Sequence, residues 1–250
     1  MQPIEFRSIR HDVVDSTSER AFAALAAGEA CDGDVHVAVA QTAGRGRRGA
    51  RWESVAGEGL YASVVLLPPP PAPPAPAVTM MAGLAVLDAV RALGLEGARL
   101  KWPNDVLVGD AKLAGILVET RGLDPAAPHF VVGIGVNVRQ RAFPPELTRE
   151  RKVTSLALCD VRTGPDELLA RLLQALPQRW RVARERPDAL AVDYLDAAGL
   201  ADRRVRVSLP EGPVVGRLVG LEPGRGLTLE SAEGARRLVP IEHVRALEAL

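Results

Sequence analysis

The chain has 250 residues, 31 Lys plus Arg against 31 Asp plus Glu, 47% hydrophobic residues and two cysteines. That length buries a full-sized core, as one large domain or as a large and a small one, and zero net charge speaks against a protein that lives on nucleic acid. Cys31 and Cys159 form no CxxC pair, the four histidines (His11, His36, His129, His243) lack ligand spacing, and MQPIEFRSIRHDVV carries charges where a signal peptide needs an apolar core, so a cytoplasmic chain without disulfides, zinc or a membrane anchor is expected.

In chain order, DSTSERAFAALAAG (15–28) reads as a helix, with Ser16 and Glu19 spaced as a capping box and Gly28 as the stop. DVHVAVAQ (34–41) alternates like a strand and runs into the glycine-rich AQTAGRGRRGARW (40–52). GLYASVVLLP (59–68) is a second strand, closed by PPPPAPPAPA, a stiff surface connection. AVTMMAGLAVLDAVRALG (77–94) is largely apolar and predicts a buried helix. RLKWP (99–103) reads as a strand turned by Pro103, and VLVGDAKLAGILVET (106–120) as a hairpin turning at Gly109-Asp110. FVVGIGVNV (130–138) is an apolar strand whose glycines predict a close approach to its backbone. Helical patterns fill 165–186 and 187–198. Beyond Gly199, RRVRVSL, VVGRLVGLE, GLTLES and RRLVPI alternate with Gly and Pro-Gly turns, which divides the chain into domains over 1–199 and 200–250.

Scarce residues are placed unevenly. Lysine occurs only at Lys101, Lys112 and Lys152 and asparagine only at Asn104 and Asn137, yet KWPNDVLVGDAK (101–112) holds two of the lysines, Asn104 and Trp102. In a chain that uses arginine elsewhere, this points to a site that wants compact point charges rather than rigid forks. In GRGRRG, Gly44, Gly46 and Gly49 let backbone amides approach an oxyanion, while Arg45, Arg47, Arg48 and Arg51 add forked donors. The Walker A pattern is absent. Residues 44–49 satisfy GxGxxG, but arginines fill the variable positions and strand-like sequence follows. Alone, the loop leaves three readings open: a solvated basic surface, an anion cradle, or a nucleic-acid contact.

Asp105 can hold Mg²⁺ or orient an amine, or simply make an Asx-type turn. Lys101 can hold phosphate oxygens, and Lys112 can neutralise a carboxylate and the phosphate it meets, or end a strand exposed. Ser16 and Thr17 cap a helix or present donors to a polar ligand head, and Asn137 is a strand-end contact or a nucleotide contact. No Ser-His-Asp or Cys-His set assembles, which disfavours covalent acyl-enzyme chemistry. Several cations, one carboxylate and a glycine-rich backbone imply activation of an acid by a nucleotide.

DSTS (15–18), AQTAGRGRRGARW, KWPNDV (101–106), KLAGILVE (112–119) and GIGVNV (133–138) together resemble, in order and spacing, the motif series of the biotin–protein ligases. The resemblance implies an α+β fold: a mixed β-sheet with helices, related to the class II aminoacyl-tRNA synthetases, followed by an SH3-like β-barrel domain. It also implies that biotin and Mg-ATP give biotinyl-5′-AMP, from which a lysine of a biotin carboxyl carrier domain takes the biotinyl group. By motif, Ser16, Thr17, Ser18 and Gln41 would face the biotin ureido ring, with Gly44, Arg45 and Gly46 beside them. Arg45, Arg47 and Lys112 would hold carboxylate and phosphate oxygens. Lys101, Asn104 and Asp105 would serve the Mg-ATP side and the acceptor amine, Arg48, Trp52 and Asn137 would contact the nucleotide, and Gly115 would let the backbone pass close to biotin. The catalytic set implied is Arg45, Lys101, Asp105 and Lys112.

The family often carries Asn where this chain has Ser18. Only 14 residues precede Asp15, too few for the helix-turn-helix of repressor-type members, so direct DNA binding is not expected. Many members pair as homodimers through the catalytic sheet. A lipoate–protein ligase or octanoyltransferase is the alternative of similar fold, and a nucleic-acid-binding module is the alternative outside enzymes.

Overall fold

The computed structural model describes residues 4–122 and 128–250, so the first three residues of the N-terminal stretch lie outside it. Strands β1 (Arg7–Val14), β2 (Asp34–Gln41), β3 (Gly59–Leu66), β4 (Ala98–Lys101), β5 (Asp105–Val108), β6 (Ala111–Glu119) and β7 (Phe130–Asn137) form a seven-stranded sheet in the order β1-β2-β3-β7-β6-β5-β4. Only the β1–β2 pair is parallel, joined by a crossover through α1 (Thr17–Ala27); the other neighbours run antiparallel. The sheet is therefore mixed.

Period-two alternation sorts β3 onto two faces. Leu60, Ala62, Val64 and Leu66 join the main core beneath α2 (Ala75–Arg91), whereas Val65 packs with Val131, Ala21 and Phe22 under α1. Helix α1 covers only part of its face. Towards its N-terminus, the same rows continue as Ser63 and Tyr61 on β3 and as Gly133 and Gly135 on β7, and there the cleft opens. The apolar helix α2 buries twelve residues, from Ala77 to Val90, against the sheet and α4 (Pro165–Glu185). Each fully buried aliphatic side chain contributes roughly 1.5–3 kcal/mol, so this layer dominates the stability of the sheet.

Helix α5 (Pro187–Ala197) leads into a second sheet, β8 (Arg204–Leu209), β9 (Gly212–Glu222), β10 (Gly226–Glu230), β11 (Arg236–Pro240) and β12 (Ala246–Ala249), in the order β11-β10-β9-β8-β12. Val205, Val207, Leu218 and Leu227 point into a core continuous with Leu190, Leu195 and Leu200 of the α5 region.

Several expectations need correction. The helix over 77–94 starts earlier, at Ala75 behind Pro74, and ends at Arg91. Strands β1 and β12 and the short α3 (Pro145–Glu150) carry too little apolar periodicity to announce themselves; β1 is a largely exposed edge strand. Ser16 does cap α1, accepting from the Ser18 amide at 3.3 Å, and Gly28 closes it with φ 71°. The reciprocal half of the capping box does not form: the Ser16 amide donates to Asp15 Oδ1 at 2.7 Å, and Glu19 turns instead towards arginines.

Candidate active site

A cleft of roughly 230 Å³ opens at the N-terminal end of α1, over β3, β7, β6 and β5 and under the glycine-rich loop. Its floor is made by residues without side chains: Gly115 and Gly135 are direct partners across β6 and β7, and Gly133 faces Leu117. A Cβ on Gly135 would lie 2.5 Å from the Trp52 ring, and one on Gly115 would lie 3.0 Å from it and 3.1 Å from Lys112 Nζ. A Cβ on Gly133 would lie 3.2 Å from Ser18 Oγ. The close approach predicted for the glycine strand is thus made first by the chain's own Trp52 indole and Ser18 hydroxyl.

One end of the cleft is a hydroxyl cluster. The Thr17 amide and hydroxyl donate to Gln41 Oε1 at 2.9 and 3.2 Å, and Gln41 Nε2 donates to Ser54 Oγ at 3.2 Å. The Thr17 and Ser18 hydroxyls lie 2.8 and 3.0 Å from Ser63 Oγ. Ser63 is fully buried in the middle of β3. Hydroxyls can each donate or accept, so this cluster suits a ligand head that presents both N–H and C=O groups.

The loop itself is a small hairpin. The Trp52 amide donates to the Gly44 carbonyl at 3.0 Å, the Gly46 amide donates to Ala50 O at 2.7 Å, and Arg45 pairs with Arg51 as an isolated bridge. A 3-10 turn over Arg47–Gly49 closes it, with Arg48 at φ 55° and Gly49 at φ 77°. The arginines divide into two kinds. Arg45 is held by Glu19 and Glu119 at 2.8 and 2.7 Å. Arg47 donates only to the neutral Asn104 Oδ1, at 3.3 Å. Burial, and then the positive charge of Arg48, lowers the Arg47 pKa from its ordinary value, and among the described residues no carboxylate forms an ion pair with Arg47 or Arg48. An arginine pair in that condition gains from any anion that enters.

Opposite the loop, Lys112 Nζ meets Asp105 Oδ1 at 2.6 Å and lies 5.6 Å from the centre of the Trp52 ring. The KWPND turn that carries Asp105 is tied down by Asn104, whose Nδ2 donates to the Ile116 carbonyl at 2.8 Å while its own carbonyl accepts from the Ile116 amide. Below it, the Tyr194 ring of α5 meets Trp102 edge-on at 6.0 Å. Among the described residues, Asp105 is the one acidic residue lining the cleft.

The sequence profile of the biotin/lipoate A/B protein ligase family matches residues 11–137, which carry all of this cleft except the residues from the second half of the chain. The chain belongs to that family. It is 39% identical over 204 residues to the biotin–[acetyl-CoA-carboxylase] ligase of Mycobacterium tuberculosis, covering 79% of this chain and 73% of that protein. It is 32% identical over 238 residues to the bifunctional ligase/repressor BirA of Bacillus subtilis, covering 92% and 71%. The biotin protein ligase from Aquifex aeolicus in complex with biotin and ATP superposes with a TM-score of 0.78 at 28% identity, over 98% of this chain and 99% of that one.

Within this family cleft, Thr17, Ser18, Gln41, Arg45, Gly46, Arg47, Arg48, Trp52, Asn104, Asp105, Lys112 and Gly115 come together. Ser16 stays behind as the helix cap, and Gly44 lies at the base of the loop, outside the lining. Lys101 ends β4 exposed and is also outside the lining, although it pairs in register with Asp105. Asn137 lies in an adjoining hollow behind Trp52, with Phe143, Leu147 and Val153, and donates to the Thr154 carbonyl at 2.9 Å. Sequence reasoning missed Ser63, which looks like any strand residue and lies buried against the Thr17 and Ser18 hydroxyls that line the cleft, and also Arg151 and Arg245, which reach the cleft from α3's end and from the second sheet. Nothing local in RERK or HVRAL marks either arginine; only the tertiary fold brings them there.

Proposed function

We propose that the chain is a biotin–protein ligase: it joins biotin to ATP as biotinyl-5′-AMP with release of pyrophosphate, then passes the biotinyl group to a lysine of a biotin carboxyl carrier domain with release of AMP. The observation that carries the reading is the single cleft in which a hydroxyl cluster adjoins an arginine pair without carboxylate partners and the Lys112–Asp105 pair. The hydroxyls of Thr17 and Ser18, backed by Ser63, hold the ureido ring with Gln41, and Gly115 and Gly135 seat the Trp52 ring beside which the rest of biotin lies.

The chemical obstacle is that two anions must meet. A carboxylate and a phosphate oxygen about 4 Å apart repel by on the order of 4 kcal/mol at an effective dielectric constant near 20. Arg47, Arg48 and Lys112 offset this, with Arg45 and Gly46 at the biotin side of the loop. Lys112 exchanges Asp105 for substrate oxygens as they enter. That exchange frees the Asp105 carboxylate, and among the described residues no cluster of three or more His, Cys, Asp or Glu gathers. Such a site suits magnesium carried by the nucleotide, which takes one or two protein carboxylates and completes its shell from phosphate and water. It would neutralise phosphate charge there. In the second step Asp105 orients the acceptor lysine and takes up its proton. Lys101 and Asn104 serve the nucleotide side, and Trp52 and Asn137 border the adenine.

The division into a synthetase-like catalytic domain (1–199) and an SH3-like domain (200–250) is part of this reading, with Arg245 as the contribution of the second to the cleft. No helix among the described residues is long and apolar enough to cross a membrane, which accords with a cytoplasmic enzyme. Incubation with labelled biotin, Mg-ATP and a purified carrier domain tests the proposal. ATP-dependent label on the carrier is expected; transfer of lipoate without transfer of biotin would overturn it.

A further inference from the structure

Arg45 is the loop arginine that meets two carboxylates, where Arg51 meets one, Glu53 at 3.8 Å. Its Nη1 meets Glu19 Oε1 at 2.8 Å and its Nη2 meets Glu119 Oε2 at 2.7 Å. Glu19 stands in the first turn of α1, next to Ser18, and Glu119 ends β6. Arg121 completes the set: its Nη1 donates to Glu19 Oε2 at 2.9 Å, and its guanidinium lies 4.0 Å from the centre of the Phe22 ring. Two carboxylates and two guanidiniums thus form a neutral group that ties the loop, α1 and β6 together. Hydrogen bonds from Arg121, and then the charges of Arg45 and Arg121, hold the Glu19 carboxyl below its usual range against the effect of burial. Arg47 and Arg48, only two and three residues further on, have no such partners among the described residues, so the field that attracts an anion is theirs.

We infer that Glu19 and Glu119 are positioning residues of the adenylation site: they clamp Arg45, and through it the entering arm of the loop, against the end of α1 that carries Thr17 and Ser18. The arm is stiff enough to transmit this, because Gly46 bonds to Ala50 and Trp52 bonds back to Gly44. The clamp therefore sets the height of Arg47 and Arg48 over the cleft and links it to the biotin end. It also explains why Glu19 leaves the helix cap it was spaced to complete. The inference rests on the ligase reading for its kinetic arm only.

The test uses the full chain with Glu19→Gln, Glu119→Gln, the double variant and Arg45→Gln. Without substrates, trypsin should cut after Arg47 or Arg48 about tenfold faster in the double variant than in the parent, with the melting temperature little changed, because loop opening is a local event. Unchanged cleavage overturns the clamp whatever the chain's activity. In biotin-dependent ATP–pyrophosphate exchange, the double variant should raise KM for biotin about tenfold with kcat within about twofold. Adding the glutamine changes to Arg45→Gln should raise KM no further, the signature of one coupled unit. If Arg45→Gln lowers kcat by about a hundredfold or more while the glutamine variants behave as the parent, Arg45 touches the reacting atoms and the inference falls. If the parent shows no exchange at all, the ligase reading fails and the trypsin arm still decides the clamp.

Discussion

Gly135→Ala is the sharpest test of how the cleft is built. A Cβ there would lie 2.5 Å from Trp52 Cε2 and 2.8 Å from both Cζ2 and Nε1, closer than real contacts allow. The strand backbone at Gly135 needs no left-handed φ, so alanine is conformationally acceptable and the whole penalty falls on the indole. Overpacking of this kind costs about 1–3 kcal/mol. Restricting the unfolded chain returns about 0.4–1 kcal/mol. The net expectation is therefore a loss of up to about 2.6 kcal/mol in urea unfolding. The functional loss should be larger, because a displaced Trp52 no longer packs beside Lys112, and a misplacement of about 1 Å near reacting groups can cost on the order of a hundredfold in rate. The assay is a double-mutant cycle with Trp52→Ala, read by urea unfolding and by biotin-dependent pyrophosphate exchange. In the Trp52→Ala background the alanine at 135 should become neutral or mildly stabilising. An equal cost in both backgrounds would show that the Trp52 contact is not the reason for the glycine.

Lys112→Ala should lower the kcat of adenylation by at least about a hundredfold, as removal of a preorganised cation does, with the fold retained; undiminished pyrophosphate release from a well-folded variant would refute its role. Ser63→Ala removes the shared partner of the Thr17 and Ser18 hydroxyls and should cost about 1–3 kcal/mol of stability together with weaker biotin binding by calorimetry; unaltered affinity would exclude the hydroxyl cluster as the ureido site. Gly83→Ala in α2 would meet Leu100 at Cδ2, 3.4 Å away, and at Cδ1, 3.9 Å away, and should stabilise by about 0.5–1 kcal/mol in urea; destabilisation would mean that the α2–sheet contact has no slack. His36 and His11 lie 3.1 Å apart, nitrogen to nitrogen, and burial lowers both pKa values from 6.5, helped at His36 by the His11 ring and Arg20 and at His11 by Arg20. The unfolded chain then takes up protons first on acidification, so their contribution is complete above about pH 6.5 and is lost below it, by up to about 1.4 kcal/mol per pH unit for each group. His36→Gln should flatten that slope between pH 7 and 5, and an unchanged slope would refute it.

Much of the fold was legible because its signals are local. The Gly109-Asp110 hairpin, the apolar run of α2 and the Ser16 and Gly28 caps each depend on a few neighbouring residues. Strand β1 was not legible. It is an exposed edge strand held by backbone pairing to β2, which leaves little hydrophobic pattern to read. The spacing of Ser16 and Glu19 signalled a capping box correctly in form, yet Arg45 and Arg121 offered the Glu19 carboxylate ion pairs that the helix terminus could not match.

For the site the division is the same. Residue type alone marked Arg47, Arg48, Asp105 and Lys112, because scarce lysines and a glycine-rich arginine loop carry their chemistry with them. Tertiary structure decided which charges remain available: Arg45 is neutralised by residues far apart in the chain, while Arg47 faces a neutral amide. It decided too that the space above the glycines of β6 and β7 holds Trp52, that Ser63 lies behind the cleft's Thr17 and Ser18 hydroxyls, and that Arg151 and Arg245 line the cleft. Sequence determines which groups a chain can offer and the local geometry in which it offers them. Only packing determines which of those groups neutralise one another and which are left for a ligand, because Coulomb and hydrogen-bond partners are chosen by distance in space rather than along the chain.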